Sequence, residues 1–267
     1  MDQIGASLRE LHEMDELALR RSPVHGLCPL CKLIVTVTFI VTVVSFPKNA
    51  LTALVPMALY PVLLFQLSGI PVSACFRKLR LVLPLVLAVG LLNPFFDRAP
   101  LLRVGEVTLT GGMISMITLM VKGVLCLTAA FLLAATTPID ALCAALRRIR
   151  VPETMVTLLL LTYRYVGVLA EEAAVMTDAY SLRAPGQKGI HISAWGSFLG
   201  QLLLRSMDRA EELYAAMLLR GYHGAYPHAG TKPCVPKDAA YALCCVAVFL
   251  LLRRYDLARL LGSLFVR

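Results

Sequence analysis

Runs of apolar residues too long for a water-facing core constrain this chain more than any other feature. A membrane-crossing helix needs roughly 20 mostly apolar residues, with a range of about 17–25. Five stretches qualify or come close: residues 27–46, which include LIVTVTFIVTVVSF, then 50–67, 79–96, 113–135 and the shorter 239–252. The second holds Pro56 and Pro61, which predicts a kink, and the third holds Pro84 and Pro94. Hydrophobic residues make up 58% of the 267 and charged residues only 16%. Soluble domains run at about 45–50% apolar and about 25% charged, so a bilayer is the natural solvent for the excess. The expected fold is all-α: a polytopic membrane protein of about five transmembrane helices, with a pair of long amphipathic helices outside the bilayer.

Charge sets the expected orientation. The formal net charge is +9. In a membrane protein such an excess marks cytoplasmic loops that meet anionic lipid. No basic run is interleaved with stacking aromatics on a soluble segment, which argues against nucleic acid as a partner. Arg77, Lys78 and Arg80 precede the third stretch, and Arg147, Arg148 and Arg150 follow the fourth. These place the N-terminus, the second-to-third loop and the amphipathic insert in the cytoplasm. The C-terminal tail then falls outside, against the rule, because it carries Arg253, Arg254, Arg259 and Arg267. Residues 1–26 mix both signs of charge and lack the basic-then-apolar layout of a cleaved leader. The chain therefore divides into a cytoplasmic N-terminal segment (1–26), a four-helix membrane region (27–135), a cytoplasmic helical region (136–237) and a final span with its tail (238–267).

The insert has apolar residues at helical spacing. Leu158, Leu161, Tyr165, Val168 and Leu169 recur at three and four, as do Phe198, Leu202, Leu203, Met207, Ala210, Tyr214, Met217 and Leu218. Glu171, Glu172, Asp178, Asp208, Glu211 and Glu212 lie on the opposite faces. Pro185-Gly186 and Gly221 supply the helix stops. Each helix finishes on an arginine, in Leu182-Arg183-Ala184 and in Leu219-Arg220-Gly221. Two readings stand side by side. A cation at a helix C-terminus complements the dipole. Alternatively, each guanidinium enters an acidic groove on a partner, and two plugs suit a partner with two equivalent sockets. Gly196 and Gly200 have the small-xxx-small spacing of a close helix crossing.

Catalytic motifs are missing. There is no GxxxxGK[ST] phosphate loop, no HExxH and no GxSxG, so neither ATP binding in the Walker manner nor catalysis is expected of this chain. Cys28-Pro-Leu-Cys31 has the spacing of half a zinc site or a redox pair. A second ligand pair at matching spacing is missing, so it reads as the edge of the first span and no metal site is assigned. Lys122 is a lone charge within the fourth stretch. It is a functional candidate by default. The alternative is a structural lysine that snorkels or pairs with a polar group such as Asn93.

The insert resembles the transmembrane (T) component of energy-coupling-factor importers, most closely the cobalt-type CbiQ family. The resemblance rests on Thr136-Thr-Pro138, on Tyr163-Arg-Tyr165, and on Arg209-Ala-Glu with Ala216-Met217 and Arg220-Gly221-Tyr222. It implies a non-catalytic subunit of a prokaryotic cell membrane. Such a subunit joins two cytoplasmic ABC ATPases, which bind the ATP, to a separate substrate-binding membrane (S) subunit for cobalt(II) or a similar divalent ion. It implies that Leu182-Arg183-Ala184 and Leu219-Arg220-Gly221 are the ATPase-coupling motifs, and it gives this chain no cofactor of its own. Two other readings lack their residues. A conventional ABC permease needs a docking loop of the EAA type, and Glu172-Ala-Ala174 begins one without the expected glycine. A lipid-modifying enzyme needs clustered carboxylates or histidines, and only Glu171-Glu172 and Glu211-Glu212 occur, as solvated helix faces.

Overall fold

The computed structural model describes residues 13–20, 22–48, 51–92, 100–104, 107–187, 189–224 and 234–254. Asn93, Pro94, Arg259 and Arg267 lie outside the described residues. The chain is an all-α polytopic membrane protein with one short hairpin. It divides into two compact units. One comprises the described parts of Leu17–Pro138 and Lys232–Arg267, and the other those of Met1–Glu16 and Ile139–Thr231.

The first unit is built on helix α1 (Pro29–Ser45), with Pro29 at the first helical position, where its missing N–H costs nothing. Next, Leu51–Ser68 is interrupted by a 3-10 turn at Pro56–Ala58, the break that Pro56 predicts, and continues as α2 (Leu59–Ser68). Gly69, in the left-handed region at φ 66°, stops it. Helix α3 spans Val72–Gly90 with Pro84 inside. It starts seven residues before the apolar stretch read from the sequence, because Arg77, Lys78 and Arg80 sit within its first turns and interrupt hydropathy without interrupting the helix. Strands β1 (Pro100–Val104) and β2 (Val107–Thr110) pair antiparallel, with Val104 opposite Val107 and a register irregularity between Pro100 and Leu102. The β-branched run of Val107, Thr108 and Thr110 is the local signal for it. Helix α4 (Gly111–Thr136) follows, and α8 (Pro236–Arg254) closes the unit.

The packing of α1 shows why a bilayer is needed. Val35, Phe39 and Val43, four residues apart, are fully buried. Ile34, Val37, Val41 and Val44 on the other side are equally apolar and exposed. A helix in water would make that second face polar. The buried face joins Leu54, Met57, Leu125, Ala129 and Phe249 in one core. Its centre is an aromatic triad: the Phe39–Tyr60, Tyr60–Phe249 and Phe39–Phe249 ring centroids lie 4.8, 5.0 and 5.3 Å apart. Helices α3 and α4 touch at small residues. A Cβ on Gly90 would lie 3.2 Å from Met116 Cγ, and one on Gly123 would lie 3.2 Å from Val86 Cγ1. Three buried hydroxyls of α4 are satisfied within the helix, Thr118 donating to Ile114 O, Thr128 to Val124 O and Thr136 to Leu132 O.

Three cations cap helix C-termini, where carbonyls lack intrahelical partners. Lys32, buried, donates to Thr136 O at the end of α4 (2.8 Å). Lys122 donates to Val44 O (3.1 Å) and Phe46 O (2.5 Å) at the end of α1. Arg253 donates to Ser45 O (3.0 Å) and stacks on the Phe46 ring. These contacts also fix directions. Lys32 meets the end of α4 and Lys122 meets the end of α1, so α1 and α4 are antiparallel. Cys28 before α1 is disulfide-bonded to Cys234 before α8 (Cα–Cα 5.4 Å), and Arg253 meets Ser45 at the far end, so α1 and α8 are parallel. The end of α8 therefore lies at the far end of the unit from the start of α1. One arginine of the tail that defied the charge rule is a helix cap.

Among the described residues, three helices are long and apolar enough to cross a membrane by length and composition: Leu51–Ser68, Gly111–Thr136 and, in the other unit, Glu153–Arg183. The last differs from the amphipathic reading of that segment. Beyond Glu153 in its first turn, its acidic residues, Glu171, Glu172 and Asp178, crowd into the second half, leaving Arg164 as the one charge between Thr154 and Ala170.

Candidate functional site

The second unit holds the two arginine motifs, each at a helix end. Helix α5 (Ile139–Arg148) has Asp140 in its first turn and Arg147 and Arg148 in its last, matching the dipole at both ends. Its buried face, Cys143, packs with Val156 and Leu160 of the next helix. Burial pushes the Cys143 thiol pKa up, and the Asp140 carboxylate adds to the rise. The connection turns through Arg150, at φ 66°, and Arg147 reaches across it to Glu153 at 2.5 Å. Both partners are over 40% exposed, so the pair adds little stability.

Helix α6 (Glu153–Arg183) and helix α7 (Ile192–Leu219) form a hairpin. The short connection is held in place by its own side chains. Tyr180 donates its hydroxyl to Gln187 Oε1 (3.0 Å), and the His191 ring accepts from Ser193 N (3.3 Å), capping α7. Gly186 makes the turn at φ 93°. Glu172 and Arg205 form an ion pair across the hairpin. Further along, a cavity of about 440 Å³ opens between the helices, lined by Leu158, Leu161, Tyr165, Leu213, Tyr214 and Met217 among others.

Arg183 is the last residue of α6, and its cap, Ala184, donates its N–H to Tyr180 O (3.0 Å). Arg220 caps α7 in a different way. Tyr222 N–H reaches back to Met217 O and Gly221 N–H to Leu218 O, both at 3.0 Å, with Gly221 at φ 81°. That double closure is the Schellman arrangement, and it needs the left-handed glycine. Both arginines are exposed, and neither guanidinium makes a hydrogen bond or ion pair among the described residues. Leu182 and Leu219, which precede them, are 83% and 90% exposed, an unusual state for leucine. The hairpin thus presents two exposed Leu-Arg pairs, each at a C-terminal helix end and each without a side-chain partner among the described residues.

The remaining residues singled out in the sequence separate into different settings. A Cβ on Gly196 or Gly200 would meet nothing within 4 Å, so among the described residues no close helix crossing occurs there. Close crossing on small residues occurs instead at Gly90 and Gly123, which are too far apart in sequence to form a spacing motif. Lys122 caps α1 through backbone carbonyls, and Asn93, the partner the sequence suggested, lies outside the described residues. Sequence reasoning missed Cys234 as the neighbour of Cys28 and Cys31, since it lies 206 residues from Cys28 and carries no local pattern.

Comparison with known proteins bears on the same residues. The sequence pattern of the CbiQ family, described as cobalt transport protein, matches residues 20–230. The chain belongs to the CbiQ family. It is a membrane component of a transport system, and the resemblance drawn from Thr136 to Tyr222 holds over most of its length. Among relatives, an uncharacterized protein of Methanocaldococcus jannaschii is 27% identical over 84% of this chain and 80% of its own. The cobalt transport protein CbiQ of Rhodobacter capsulatus is 39% identical over 38% of this chain and 42% of its own. The energy-coupling factor transporter transmembrane protein of Ruminiclostridium cellulolyticum is 28% identical over 76% of this chain and 81% of its own.

Proposed function

We propose that this CbiQ-family chain is the coupling subunit of an energy-coupling-factor importer in a prokaryotic cell membrane, carrying cobalt(II) or a similar divalent ion. In this reading the α6–α7 hairpin and the N-terminus are cytoplasmic. Leu182-Arg183-Ala184 docks in one ABC ATPase and Leu219-Arg220-Gly221 in the other. ATP stays on those partners, and this chain catalyses nothing. Closure of the ATPase pair moves the hairpin, and the motion reorients a separate substrate-binding membrane subunit.

The single observation that carries the reading is the pair of exposed Leu-Arg helix ends. A dipole role alone explains an arginine at each end but not an exposed leucine beside it. A leucine with a guanidinium fits an apolar socket with an acidic wall. The rigid caps support the same reading, since a lever must transmit force without unwinding. The apolar first half of α6, with Met155, Leu158 and Leu159 exposed, needs cover from lipid or from the substrate-binding subunit.

The test is charge reversal. Arg183→Glu and Arg220→Glu, singly and together, should each reduce co-purification of the ATPases. A loss of about 2 kcal/mol per arginine corresponds to roughly 30-fold in affinity. Uptake should fall while the subunit stays folded in detergent. Normal uptake by the double variant would sink the reading.

A further inference from the structure

Cys28, Cys31 and Cys234 converge at the start of α1, their sulfurs all within 4.8 Å of one another. The two helices that carry them meet at this end because they run parallel, so the cluster is built by the fold rather than by a local loop. Cys28 and Cys234 are joined as a disulfide, and Cys31 stands outside that bond. Cys28 and Cys31 are buried while Cys234 is exposed, which leaves one open side.

We propose that these three cysteines form a thiolate site for one thiophilic divalent cation, which the Cys28–Cys234 disulfide closes. This site is independent of the Leu-Arg motifs and of the ATPase-coupling role. A staple needs two cysteines; the third within the same few ångströms is what a staple leaves unexplained. Zinc-type ions bind sulfur at about 2.3 Å in tetrahedral geometry, which sets the sulfurs roughly 3.8 Å apart. Sulfurs already within 4.8 Å of one another stand at most about 1 Å wider than that spacing. The open side at Cys234 leaves the fourth position to water. A helix N-terminus lies beneath Cys28, which is its cap residue, and the negative charge of a trithiolate suits that end. Sulfur ligands select zinc- or cobalt-like ions over magnesium or calcium.

The chemistry balances in two steps. A dithiol reductant cleaves the Cys28–Cys234 bond, giving two thiols while the reductant becomes a disulfide. Three thiols then release three protons and bind one divalent ion through three metal–sulfur bonds. In reverse, a disulfide oxidant takes up two electrons and two protons to become a dithiol, the Cys28–Cys234 bond re-forms, Cys31 regains a proton and the ion leaves.

Cobalt(II) is the probe, because thiolate ligation gives it charge-transfer absorption in the near ultraviolet. The full-length chain in detergent is reduced with a phosphine, which is then removed, and titrated with cobalt(II). One equivalent should bind with that absorption, and zinc should displace it. Cys31→Ser keeps the disulfide pair and should weaken binding at least tenfold. A Cys244→Ser/Cys245→Ser variant controls for the adjacent cysteine pair and should bind as the parent does. The unreduced chain should not bind. Failure of the reduced parent to bind, or binding that survives Cys31→Ser, would leave the cysteines as a staple only and overturn the proposal.

Discussion

Replacing Lys122 by methionine should destabilise the membrane unit by about 2 kcal/mol without touching transport chemistry. The ammonium donates to Val44 O and Phe46 O, two carbonyls at the end of α1 that have no helical partner. A hydrogen bond from a charged donor contributes about 1.5–3 kcal/mol. Two such bonds, less the cost relieved by no longer desolvating a half-buried cation, leave roughly 2 kcal/mol. For a chain of this size that corresponds to a fall in Tm of about 4–8 °C. A fluorogenic maleimide reads the transition, because Cys75 of the same unit is buried in the folded protein. Lys122→Arg should recover most of the loss. Arg253 donates to the intervening carbonyl of Ser45, so Lys122→Met and Arg253→Met should combine non-additively. An unchanged Tm with uptake abolished would refute the capping account and make Lys122 a transport residue.

Further expectations follow from the packing and charge already described. Gly123→Leu should overpack against Val86 and cost about 1–3 kcal/mol in the same thermal assay, whereas Gly196→Leu in the isolated subunit should cost little. The Cys143 thiol pKa is raised, so at a given pH less of it is thiolate than for an ordinary cysteine. Its alkylation should therefore rise at higher pH than that of an ordinary cysteine, and Asp140→Asn should move the profile back toward lower pH.

The sequence was most informative where one element decides its own fate. The helix ends at Arg183 and Leu219 follow from Pro185-Gly186 and Gly221, and the break before α2 follows from Pro56. The apolar runs announce the bilayer directly. What escaped were the long-range pairings. Lys32 with Thr136, Arg253 with Ser45 and Cys28 with Cys234 join residues more than 100 positions apart, and no periodicity encodes them. The start of α3 escaped for another reason: hydropathy reports where a helix meets lipid, not where it begins. At the candidate site the arginines were legible, but not that one is held by a Schellman closure and the other by a simpler cap. That difference depends on backbone torsions at Ala184 and Gly221.

The central claim is that the two Leu-Arg helix ends each seat in an ATPase. A photo-crosslinking amino acid placed at Leu182, at Leu219 and, as a control, at the exposed Leu203 of α7 tests it directly in the assembled transporter. The account predicts an ATPase adduct from positions 182 and 219, a change in yield on adding ATP, and no adduct from 203. Adducts at neither helix end, with uptake intact, would contradict it.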